Sequence, residues 1–82
     1  ARWGEADRLG EAAVRLFEAR RHKDALGPAR RKLAIRLELA GHWHPASANS
    51  LFTVASNLHG LGDLAAARPL YAEVATVTRR LL

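Results

Sequence analysis

Gly41-His42-Trp43-His44-Pro45 is the stretch on which the reading of this chain turns, because it sits midway and gathers two of the four histidines and one of the two tryptophans. Such a cluster is a metal site, a binding loop, or punctuation between helices. Glycine serves at the end of a helix, where a left-handed residue is wanted, and proline fits the first helical turn, where its missing N–H has no intrahelical partner. Gly41 therefore ends one helix, Pro45 opens the next, and His44 is placed to cap it. A His-x-His pair holds zinc only when further ligands converge tetrahedrally. The other histidines, His22 and His59, fall in or near turns of the pattern below, so no metal site and no cofactor are expected. Trp43 is expected to cover the junction.

Outward from this punctuation the apolar residues recur at helical spacing. After it come Leu51, Val54, Ala55 and Leu58, then Ala67, Leu70, Val74, Val77 and Leu81. Before it come Leu9, Ala12, Ala13, Leu16 and Phe17, then Leu26, Ala29, Leu33, Leu37 and Ala40. The spacing predicts four helices over residues 5–20, 23–40, 45–60 and 63–81. A shift of 42 residues lays Leu9 on Leu51, Ala13 on Ala55, Leu16 on Leu58, Ala25 on Ala67 and Ile35 on Val77. The chain thus reads as an all-α protein of two tandem antiparallel helical hairpins, residues 1–41 and 42–82, one a copy of the other. Ala13, Ala25, Ala55 and Ala67 stand where closely packed helices leave no room for larger side chains. Gly62 turns the second hairpin, and Asp63 is suited to cap its second helix.

Composition agrees. Ala, Leu and Arg make up 17, 13 and 11 of the 82 residues, and all three favour helices. There is no cysteine, so neither a disulfide framework nor a thiolate zinc site is available. No signal peptide is read at the start and no apolar run approaches membrane-spanning length, so a cytoplasmic protein is expected without membrane association. A start without Met and an end at Arg79-Arg80-Leu81-Leu82 suggest a piece of a longer polypeptide.

The segment from His44 to Leu82 resembles one full tetratricopeptide repeat of the long, roughly 42-residue kinesin-light-chain-like kind found in bacterial multi-repeat proteins. Gly41, His44 and Pro45 match that family's separator between repeats, and Ala55, Gly62, Ala67, Pro69 and Tyr71 match its hairpin. The resemblance implies an α-solenoid fragment. In the first hairpin Arg20 stands at the place of the turn glycine and Lys32 at the place of a small or apolar residue.

The resemblance also implies a function: an interaction scaffold, without enzymatic activity, that takes a peptide or partner segment on the concave face formed by the first helix of each hairpin. Carried over position by position, that face holds Asp7, Val14 and Phe17, then Asn49, Phe52, Ser56 and His59. The family's kinesin-like members often place paired asparagines where this chain has Phe52 and Thr53, which implies a more apolar groove. Catalysis has no support, because no nucleophile motif or phosphate loop is present.

Charge supplies the alternative. The net charge is +5, and Arg20, Arg21, Lys23, Arg30, Arg31, Lys32 and Arg36 gather between positions 20 and 36 against a single Asp24. Such a run could neutralise phosphate, yet no nucleic-acid motif or interleaved aromatic accompanies it, so a solvated helix face is favoured over a nucleic-acid partner. A further alternative is a purely structural spacer within a longer solenoid. Two repeats leave stacking faces uncovered, so a homodimer through the repeat ends is expected as well.

Overall fold

Local signals place four helices: α1 (Arg2–Glu18), α2 (His22–Ala40), α3 (Pro45–Gly60) and α4 (Leu64–Leu81). The computed structural model describes residues 2–82. Residue 1 of the expected first hairpin lies outside the described residues. Among the described residues there is no strand, and each helix packs against the one that follows it. The protein is all-α, with α1 and α2 forming one hairpin and α3 and α4 a second.

The punctuation at residues 41–45 behaves as its chemistry requires. Gly41 has φ +80°, and its N–H closes α2 on the Leu37 carbonyl. The backbone N–H of Ala46 donates to His44 Nδ1 at 3.0 Å, which makes His44 the N-cap of α3, with Pro45 at the first helical position. Likewise the Ala66 N–H donates to Asp63 Oδ1 at the start of α4.

The two hairpin turns are the same turn 42 residues apart. In the first, Arg21 N–H donates to Leu16 O and Arg20 N–H to Phe17 O. In the second, Asp63 N–H donates to Leu58 O and Gly62 N–H to His59 O. Both are Schellman ends, which need a left-handed residue just past the helix. Gly62 meets that need with φ +82°, while Arg20 adopts φ +60° at the steric cost a Cβ brings there. That requirement ends α1 at Glu18, two residues before the periodicity suggests. Arg20→Gly is therefore expected to stabilise the protein by about 1 kcal/mol. A thermal melt checks it, and an unchanged or lowered midpoint would show that the turn carries no such strain.

Helix α1 begins at Arg2, three residues before the pattern suggests. An ion pair of 3.0 Å joins Arg2 to Glu38 of α2, a tie between residues 36 apart that local periodicity does not contain.

Small residues make the core. Ala13, Ala55 and Ala25 are wholly buried and Ala67 nearly so, as the helix-crossing reading expects. Ala13, Ala29, Val54, Leu58 and Ala67 form one cluster, with Leu26, Leu33, Leu70 and Tyr71 packed around it. Ile35 and Val77, again 42 residues apart, are the largest fully buried apolar side chains. The repeat thus recurs in burial as well as in sequence. The stripes shift in detail: α1 buries Ala6, Gly10 and Ala13, whereas Phe17 stays at the surface.

The α2–α3 contact is polar, and apart from Arg36 Nε its buried side-chain donors and acceptors are paired. Ser47 Oγ donates to the Gly41 carbonyl at 2.6 Å, and Asn57 Nδ2 donates to the Thr53 carbonyl. Asn57 Oδ1 lies 3.2 Å from His22 Nδ1. The His22 ring also covers Gly60 so closely that a Cβ there would lie 2.5 Å from it. Ser47 and Ser50, both completely buried here, correspond under the repeat to Glu5 and Arg8 of α1. The open side of α1 is accordingly charged, whereas the end of α4 exposes Leu81 and Leu82.

Candidate functional site

Helices α1 and α3 lie on the same side of the molecule and leave a cleft of about 260 Å³ between them. Ala13 and Ala55 allow the helices behind it to approach closely, and larger residues on the outer turns form its walls. Val14 and Phe17 come from α1; Phe52, Thr53 and Ser56 come from α3. Val14 and Phe52 are each 50% exposed and Phe17 41%. Phe17 meets the His22 ring edge-on with centroids 5.0 Å apart, and Phe52 meets Tyr71 edge-on at 5.7 Å. Each aromatic is thus held by a neighbouring ring, the geometry aromatic pairs prefer, while one face stays open.

A second cleft adjoins this one at the turn end, lined by Phe17, His22, Ser56, His59 and Tyr71. The Tyr71 hydroxyl lies 3.4 Å from Ser56 Oγ and 3.5 Å from His59 Nδ1. Tyr71 was expected as a hairpin residue; it also sets the far wall of the groove.

Five of the seven residues expected on the partner-binding face therefore gather along one strip of two adjoining clefts, apolar at Val14, Phe17 and Phe52 and polar at Ser56 and His59. Asp7 and Asn49 lie elsewhere. Both carry an oxygen toward the Arg36 guanidinium, Asp7 Oδ1 at 3.8 Å and Asn49 Oδ1 at 3.5 Å, and they line two different clefts beyond the strip. Periodicity could not show this, because Arg36 reaches them from α2 while also donating to the Ala46 carbonyl and Ser50 Oγ.

The histidines of the Gly41–Pro45 stretch serve separate contacts. His42 Nε2 pairs with Glu73 of α4 at 2.6 Å, and His44 caps α3. No group of three or more metal-ligating side chains comes together among the described residues. Trp43 lies over the junction with the Arg80 guanidinium stacked 4.3 Å from its ring centre, a cation–π contact that ties α4 to the loop between hairpins.

The basic run of residues 20–36 is not one continuous face. Arg21 pairs with Asp24 and Arg31 with Glu5, while Arg36 is turned into the α2–α3 contact. Lys32, counted in the basic run yet standing at the place of a small or apolar residue, is mostly covered. Its aliphatic stem runs across Gly10, where the missing side chain of α1 leaves room for it. Lys32 and the exposed Arg20, Lys23 and Arg30 have no ion-pair partner among the described residues. No helix is long and apolar enough to cross a membrane among the described residues.

Set against models of known families, curated proteins and solved structures, the chain matches none, so its functional reading rests on the geometry above.

Proposed function

We propose that the chain is a non-enzymatic, tetratricopeptide-like scaffold that takes an apolar-rich segment of a partner protein in the cleft between α1 and α3. The observation that carries this reading is the pair Phe17 and Phe52. Each is roughly half exposed, braced by a neighbouring ring, and they face one cleft from opposite helices. Aromatic side chains held rigid but open to solvent give up little conformational freedom on binding and bury much apolar area, which is the profile of an interface anchor. The resemblance of residues 44–82 to a tetratricopeptide repeat points the same way.

The reading separates from simple packing by one substitution. Phe52→Ala removes a half-exposed ring, so the cost to stability is expected to be about 1 kcal/mol. Binding of an apolar-rich peptide, selected on this protein from a random display library, is expected to weaken roughly ten-fold or more. Far-ultraviolet circular dichroism and fluorescence anisotropy read the two quantities independently. Loss of the helical fold in Phe52→Ala would return the residue to the core and withdraw the groove; unchanged binding with the fold intact would do so too.

A further inference from the structure

The internal repeat exposes one paired departure. Under the 42-residue shift Gly10 corresponds to Phe52 and Lys32 to Val74. The second hairpin sets an aromatic ring and a valine side by side in one cleft. In the first hairpin the ring is absent and a lysine lies across the gap. A Cβ on Gly10 would stand 2.8 Å from Lys32 Nζ, 3.1 Å from its Cε and 3.2 Å from its Cδ, so the far half of the side chain rests on the glycine. The result is an open cleft of about 540 Å³ whose lining includes Asp7, Glu11, Arg15, Lys32 and Arg36.

Lys32 is only 7% exposed, and no acceptor among the described residues lies within hydrogen-bonding or ion-pair distance of its ammonium. Arg36, which lines the same cleft, keeps its Nε buried without an acceptor. Burial and then the Arg36 guanidinium push the Lys32 amine below its ordinary range, and Asp7 draws it back in part. The Lys32 ammonium opens to this cleft with solvent as its only partner while its stem is covered, and folding gains nothing from such a charge that methionine or leucine would not supply. An arrangement that is poor for stability and opens into a cleft is suited to a ligand that supplies the missing acceptor.

We propose that the Gly10–Lys32 cleft is a carboxylate site, in which Lys32 Nζ, backed by Arg36, takes a carboxylate carried on a peptide. Charge selects the class. Asp7 and Glu11 on the rim already offset two of the three cationic groups, so one negative charge completes the balance and a phosphate dianion exceeds it. Size selects the carrier, since a cleft of about 540 Å³ holds far more than one carboxyl group. The site stands on its own residues and needs no apolar side chain in the ligand, so it does not depend on occupation of the Phe17–Phe52 cleft.

The test is a titration of the 15N-labelled protein with three blocked probes that lack large apolar groups: acetyl-Gly-Glu-Gly-amide, acetyl-Gly-Gly-Gly with a free carboxyl terminus, and acetyl-Gly-Gln-Gly-amide. At least one of the acidic probes is expected to shift the Gly10 amide and the Lys32 side-chain signals, and the glutamine probe to leave them in place. Which acidic probe binds tells a side-chain carboxylate from a chain terminus. Lys32→Met, which keeps the stem over Gly10, should weaken binding roughly ten-fold or more and at the same time raise the melting temperature. Lys23→Met, on the exposed side of α2, should change neither. Equal response to the glutamine probe, preference for inorganic phosphate, unaltered binding in Lys32→Met, or no response to either acidic probe would each overturn the proposal.

Discussion

Ile35→Ala is expected to lower the unfolding free energy by about 2–4 kcal/mol, enough to move the thermal midpoint of a chain this size by on the order of 10 °C or more. Ile35 is 2% exposed and is the largest fully buried apolar side chain, so truncation leaves a cavity that its neighbours cannot fill without moving. Helical spacing alone points to Leu37 rather than Ile35 as the core position of this stretch. In the structure Leu37 is 36% exposed. Leu37→Ala, on the same helix and with a similar loss of side-chain volume, should therefore cost about 1 kcal/mol or less. Denaturant melts of the two variants settle which face of α2 is inward. Equal losses, or a larger loss at Leu37, would mean that α2 is rotated from the orientation described.

Ala55→Leu should destabilise by about 1–3 kcal/mol for the opposite reason. Ala55 is wholly buried within α3, so three added carbons displace a helix rather than fill space. The repeat makes the prediction stricter. Ala13, its counterpart 42 residues earlier, is equally buried in α1, and Ala13→Leu should bring a comparable loss. Ala65→Leu, on the exposed side of α4, serves as the control and should stay within about 0.5 kcal/mol. An unchanged midpoint in both Ala55→Leu and Ala13→Leu would refute the close helix approach on which the hairpin register rests.

The sequence by itself determined the elements and their order. Turn and cap chemistry is local: Gly41, His44, Pro45, Gly62 and Asp63 act on backbone groups within a few residues, so their roles are legible without a fold. The 42-residue repeat is legible for the same reason, and it carries through to paired burial at Ala13 and Ala55, Ala25 and Ala67, and Ile35 and Val77. Phe17 and Phe52 could be named as candidate groove residues only through the resemblance to a tetratricopeptide repeat. Whether they stood open or packed inward could not be read, because exposure depends on how far apart α1 and α3 are held.

Tertiary structure decided what lies between elements distant in sequence. Arg2 reaches Glu38, Arg36 gathers Asp7 and Asn49 from two helices, and His42 finds Glu73. Side-chain pairs of this kind follow from helix rotation and separation, which periodicity leaves free by tens of degrees. Lys32 shows the consequence most clearly. In the sequence it is one of seven basic residues; the repeat sets it at the place of a small or apolar residue, unlike Arg31, which is solvent-exposed and paired with Glu5, but does not say how a lysine is accommodated there. It is buried because Gly10, 22 positions earlier and on another helix, leaves a gap of the right length for its stem. The charge was written in the sequence; where that charge points was set by the packing of α1 on α2, since only there do the missing side chain and the long one meet.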